Sequence, residues 1–161
     1  KYGVVSHPDS RSLSRSGDVV VKLETAQWNQ TAPYNQMLPI IKGQRAYTGC
    51  TITAGAIVMR YHKWPNQGTG TIPGYTTSAL NLERPAIELG HTYEWDKMPL
   101  VYKTNGYTEE EGKQVARLML DLGTMIKADY DSGGTGASAY YLATELPVYM
   151  GYDKSALYRD R

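Results

Sequence analysis

Apolar positions recur at helical spacing most clearly in one stretch, where Val115, Leu118, Met119, Leu122, Met125 and Ile126 form a single stripe. Thr108-Glu109-Glu110-Glu111 precedes it and carries the signature of a helix start. Thr108 can cap free amides while Glu111 reaches back, and acids suit the positive end of the helix dipole. The Met-bearing stripe reads as core. A second segment, residues 48–62, is small and apolar and predicts a largely buried helix. Trp64-Pro65 ends it, because proline cannot continue the hydrogen-bond ladder and restricts the residue before it. Its Thr, Ile, Val and Gly residues lower helix propensity, so a buried strand is the alternative.

Weaker patterns fill the remainder. Ser138 predicts the cap of a third helix through about Glu145, which Pro147 should bend or stop. Residues 19–23 are a β-branched run and predict a strand, and short strands or hairpins fit residues 74–77 and 93–95. Residues 28–38 read as an ordered loop, residues 131–136 as a flexible turn, and the polar residues 1–17 as a loose arm. Residues 18–161 then form one domain, a length sufficient for a real core.

Composition narrows the class. Hydrophobic residues at 41% and charged residues at 20% fit a globular chain, not a disordered one. The 17 basic and 16 acidic residues nearly cancel, so nothing points to nucleic acid or an anionic membrane. No apolar run reaches the length of a membrane span. With 14 Tyr, 3 Trp and no Phe, much aromatic surface needs hydrogen-bond partners, which suits cleft walls and half-exposed layers. The single Cys excludes a disulfide within the chain. A first residue that is Lys1 and a charged end at Arg161 lead us to expect a processed polypeptide.

That single thiol, Cys50, follows Gly49 at the start of the predicted buried helix. A helix start favours negative charge and therefore a thiolate, and glycine permits close backbone approach. The competing reading is a buried small hydrophobe. Three stretches carry more than pattern: residues 28–35 (WNQTAPYN), residues 48–54 (TGCTITA) and residues 59–65 (MRYHKWP). Together with Tyr93-Glu94-Trp95, residues 118–123, Asp129-Tyr130, residues 134–138 and Gly151-Tyr152, in that order, they resemble the streptopain family of cysteine peptidases. The resemblance spans roughly residues 27–153.

It implies an α+β, papain-like fold in which this chain supplies mainly the helical half. It implies Cys50 as nucleophile and Gln30 as the side-chain amide of the oxyanion hole, although Gln30 read without the family is a loop amide serving local backbone. It implies peptide or protein substrates, no cofactor, and a secreted or cell-surface bacterial protein, with a propeptide inhibitor as a further partner. The Gly-rich loop before Ser138 is either a helix-entry turn or, by the resemblance, a substrate pocket formed by Thr135, Ala137 and Ser138. Two departures stand out. Thr51-Ile52 replaces the small aliphatic residue and Ala that usually follow the Cys, and the family's downstream catalytic His segment is absent.

None of the three His residues replaces it. His62 lies twelve residues along the same helix, about 18 Å away at about 1.5 Å per residue, too far for proton transfer. His7 sits in the polar arm and His91 has no motif around it. Ligand spacing for a metal is missing as well. The expected arrangement is a second chain of the same precursor carrying the His. The rival readings are an inactive binding or adhesion module and a thiol acyltransferase or amidase.

Overall fold

The computed structural model of the chain describes residues 23–131 and 133–155. Its frame is three helices, α1 (Cys50–His62), α2 (Glu109–Met125) and α3 (Ala139–Tyr149), packed on one another and joined by short antiparallel strand pairs. The class is α+β. The predicted strand at residues 19–23 and the arm at residues 1–17 lie outside the described residues, apart from Leu23, which is in no regular element.

Helix α2 begins where its sequence says it should. The Thr108 hydroxyl accepts from the Glu111 N–H at 3.2 Å, and the Glu111 carboxylate accepts from the Thr108 N–H at 2.7 Å. Val115, Ala116, Leu118, Met119 and Leu122 are wholly buried, each larger side chain contributing about 1.5–3 kcal/mol by leaving water. Against α2 lies α1, which buries Ile52, Thr53, Gly55, Ala56 and Met59. The expectation of a largely buried α1 needs correction: Cys50, Ala54, Val58 and Tyr61 are exposed, so only one face is core. Its end comes at Lys63, in left-handed conformation with φ 46°, just before a cis Trp64–Pro65 peptide.

Helix α3 corrects a second expectation. Ser138 does cap it, accepting from the Tyr140 N–H at 3.3 Å, but the helix runs through Pro147 to Tyr149. Proline removes only one N–H from the ladder, and Leu146 before it and Tyr149 after it both pack on the core. Contact between α1 and α3 is close because Gly55 has no Cβ; one built there would stand 2.9 Å from Leu142.

The strands are short. β1 (Ile40–Ile41) and β2 (Gln44–Arg45) form a hairpin whose two loop residues, Lys42 and Gly43, both have positive φ, as a tight two-residue turn requires. β3 (Thr71–Ile72) pairs with β6 (Ile87–Glu88), and within that ribbon β4 (Tyr75–Thr76) pairs with β5 (Glu83–Arg84). Residues 93–95 are not a strand. Trp95–Lys97 instead forms a single 3-10 turn, because Tyr93 and Trp95 both turn inward, the Trp95 indole donating to the Pro65 carbonyl at 2.8 Å. The turn expected at residues 131–136 is an antiparallel hairpin, β7 (Asp129–Asp131) with β8 (Gly134–Gly136). Fully buried Tyr130, opposite Thr135, anchors it to the core.

Candidate active site

Cys50 is the first residue of α1, and its thiol is exposed. Gly49 before it has φ 90° and ψ 145°, a conformation that side chains resist. The Gly49 carbonyl accepts from the Thr53 N–H at 3.0 Å and from the Thr53 hydroxyl at 2.9 Å. That hydroxyl also lies 2.7 Å from the buried Thr48 hydroxyl. No side chain caps the helix and no acid stands in its first turn. The first-turn amides are therefore left to stabilise negative charge beside the sulfur, on a thiolate or on an oxyanion.

Gln30 belongs to the same neighbourhood through its backbone. Its carbonyl accepts from the Thr48 N–H at 3.1 Å, two residues before Cys50, and its own N–H donates to Asn29 Oδ1 at 2.7 Å. The loop holding Gln30 is rigidly seated. The Asn35 side-chain amide donates to the Ala46 carbonyl at 3.0 Å, and the Trp28 indole donates to the Pro99 carbonyl at 2.9 Å. The Trp28 ring also meets Tyr34 and Tyr102.

The β7–β8 hairpin reaches the thiol's turn from the other side. The Thr135 hydroxyl donates to the Tyr47 carbonyl at 2.6 Å, and the Thr51 hydroxyl donates to the Ala137 carbonyl at 3.1 Å. A Cβ on Gly49 would stand 3.0 Å from the Thr135 carbonyl oxygen. Thr135 and Ala137 are thus brought against the Cys50 turn, while exposed Ser138 serves as the α3 cap. Tyr47 and Thr51 were missed as site residues by sequence reasoning. Their bonds span 88 and 86 residues, and no local pattern signals such a pairing.

The two described histidines are engaged elsewhere. His91 Nε2 lies 2.7 Å from Asp121 Oδ2, which also accepts from the Tyr93 hydroxyl at 2.7 Å, while Arg117 Nε donates to Oδ1 at 3.0 Å. Asp121 is wholly buried, so three partners share one carboxylate. Burial first, and then the adjacent Asp121 charge, push the Tyr93 hydroxyl well above the usual phenol range. His62 stands at the far end of α1, edge-on to Tyr61. With Trp64, Gly151, Tyr152 and Asp153 it lines a cavity of about 450 Å³. His7 is outside the described residues. Among the described residues no group of three or more His, Cys, Asp or Glu could hold a metal, and no helix is long and apolar enough to cross a membrane.

Residues 28–161 match the Peptidase C10 family. The chain is 31% identical to the thiol protease/hemagglutinin PrtT of Porphyromonas gingivalis over 135 residues, covering 83% of this chain and 15% of that protein. It is 29% identical to streptopain of Streptococcus pyogenes over 144 residues, covering 80% of this chain and 36% of that protein. In structure it is similar to a prointerpain A fragment of Prevotella intermedia, with TM-score 0.70 and 36% identity over 78% of this chain and 41% of that one. Active wild-type interpain A cysteine protease gives TM-score 0.70 and 34% identity over 78% and 52%. The α+β fold is accordingly papain-like, and the chain spans about a third or less of the curated relatives it matches.

Proposed function

Because the chain belongs to the Peptidase C10 family, we propose that it is the nucleophile-bearing part of a cysteine endopeptidase, with Cys50 as the attacking thiol. One observation carries this reading. The chain's single Cys is exposed at the first residue of α1, behind a glycine that leaves the first-turn amides uncapped. In the proposed reaction a His on a segment outside this chain takes the Sγ proton, and the thiolate attacks a peptide carbonyl carbon. The Cys50 amide and the Gln30 side chain hold the oxyanion that forms, each donor typically worth about 2.7–4 kcal/mol. The intermediate collapses, and the amine leaves with the proton from the His. Water, deprotonated by the same His, then cleaves the thioester and frees Cys50 and a carboxylic acid.

Among the described residues, His91 is committed to Asp121 and His62 stands at the opposite end of α1, which supports a base supplied from outside. We assign the partner as a second chain of the same precursor, or a downstream segment, that carries the His. The exposed face of α1, with Cys50, Ala54, Val58 and Tyr61, supports such a partner: Val58 is 50% and Tyr61 46% exposed. Thr135, Ala137 and Ser138 are the proposed substrate-facing residues beside the thiol. The "pro" form of interpain A supports an inhibitory propeptide, and the thiol proteases of bacteria among the relatives support a secreted or cell-surface location.

Replacing Cys50 with Ala in the chain joined to its His-bearing segment should abolish peptide hydrolysis. Unchanged hydrolysis by Cys50→Ala refutes the assignment. A non-catalytic adhesion module on this fold is the rival. It is favoured by the absence of a described His at the thiol and by the hemagglutinin in the PrtT name. Binding of cells by a fully active-site-blocked protein, with no hydrolysis by the unblocked one, would select it.

A further inference from the structure

Two threonine hydroxyls cross over the turn that carries Cys50. Thr135, on β8, donates to the Tyr47 carbonyl at 2.6 Å; Thr51, on α1, donates to the Ala137 carbonyl just beyond β8 at 3.1 Å. One bond grips the chain three residues before Cys50 and the other grips it one residue after. Between them the Thr135 backbone sits directly against Gly49, where a Cβ would stand 3.0 Å from the Thr135 carbonyl oxygen and 3.2 Å from its Cβ. The geometry points to Thr51 and Thr135 as positioning residues that lock the Cys50 turn to the β7–β8 hairpin, deepening the proposed peptidase reading and resting on Cys50 as its nucleophile.

The physical need is specific. Gly49, the backbone link beside the thiol, has no side chain of its own to hold it, so the contacts around it must fix its position. An error of about 1 Å in a reacting group can cost about 10²-fold in rate. A threonine in a helix commonly turns its hydroxyl back to the carbonyl four residues earlier, as Thr53 does to Gly49. Thr51 does not. Thr51, the second residue of α1, has no helical carbonyl four residues before it, since Tyr47 precedes the Gly49 cap, and its hydroxyl reaches across to the hairpin. The position after the nucleophile thus supplies a hydrogen bond to the hairpin as well as packing.

The test compares Thr51→Val, Thr135→Val, the double valine variant, and Thr51→Ser and Thr135→Ser. Hydrolysis is measured in the chain joined to its His-bearing segment, and iodoacetamide alkylation of Cys50 at fixed pH in the 161-residue chain alone. Each valine should lower kcat about fivefold, the factor expected for one lost hydrogen bond, with KM within about twofold for Thr51→Val, the variant that leaves the substrate-facing residues untouched. Each serine, which keeps the donor, should restore kcat, and alkylation should slow in the same order. Thr51→Ala and Thr135→Ala, which cannot clash, repeat the measurement should a valine variant fail to fold. A double valine variant with wild-type kcat and alkylation rate overturns the proposal, as does a serine variant as impaired as its valine counterpart. Should the wild-type assembly hydrolyse no peptide, the peptidase reading fails by itself, and the alkylation series still decides whether the threonines hold the turn.

Discussion

Gly49→Ala tests the packing at the thiol most directly. The residue has φ 90° and ψ 145°, a region that costs a side-chain-bearing residue about 1–3 kcal/mol. Its new methyl would also meet Thr135 at 3.0 Å from the carbonyl oxygen and at 3.2 Å from Cβ and Cγ2, an overpacking that typically costs about 1–3 kcal/mol. Restricting the unfolded chain returns about 0.4–1 kcal/mol. The net expectation is a loss of about 1–5.5 kcal/mol, or roughly 2–20 °C in Tm for a chain of this length. Two controls divide that sum. Gly43 has φ 80° with nothing within 4 Å, so Gly43→Ala meets positive-φ strain in a tight turn with no steric neighbour. Gly134 has neither a positive φ nor a neighbour within 4 Å, so Gly134→Ala should be nearly neutral. Urea and thermal unfolding of the three variants give the ranking. Should Gly49→Ala cost no more than Gly43→Ala, the hairpin does not press on the turn and the reasoning fails.

Two further outcomes follow from the core and its tyrosines. Gly123→Ala in α2 would ordinarily gain about 1 kcal/mol of helix propensity. Here the methyl would run into the buried Tyr130 hydroxyl at a cost of about 1–3 kcal/mol, so the gain is cancelled and a net loss of up to about 2 kcal/mol is expected. That hydroxyl has no partner among the described residues, so Tyr130→Phe should be harmless alone and should rescue Gly123→Ala; strictly additive unfolding energies in that double-mutant cycle would count against the contact. Burial raises the phenols of Tyr34, Tyr75, Tyr93, Tyr102, Tyr130 and Tyr152 above their ordinary value of 10.0, Tyr152 to about 12. Neutral in the fold and ionised in the unfolded chain, they contribute stability that is complete below about pH 10 and declines as pH rises through the folded values. Urea midpoints measured up the alkaline range should therefore fall in step with tyrosinate absorbance, and a midpoint flat above pH 10 would contradict the assignment.

Residues acting within one turn of themselves were legible in the sequence. Thr108 and Glu111 meet because a helix start brings them together, and the α2 stripe is buried because its spacing puts it on one face. Gly49-Cys50 could be recognised as a helix start carrying a thiol for the same local reason. Reading failed where distant partners outvote local preference. Pro147 lies inside α3 because the core packs Leu146 before it and Tyr149 after it, which outweighs one missing donor. The Gly-rich residues 131–136 are half of a hairpin because Tyr130 is held in the core.

The site divides along the same line. Residue type and position left Cys50 open between a thiolate and a buried hydrophobe, and only the resemblance carried by the ordered motifs pointed to it as nucleophile, with Gln30 and the β8 loop beside it. Only the tertiary structure revealed that Thr51 and Thr135 grip the thiol's turn from opposite sides, and that His91 answers to a buried Asp121. Those bonds join residues from 30 to 88 positions apart, and their short-ranged geometry exists only after packing has brought the segments within hydrogen-bonding distance.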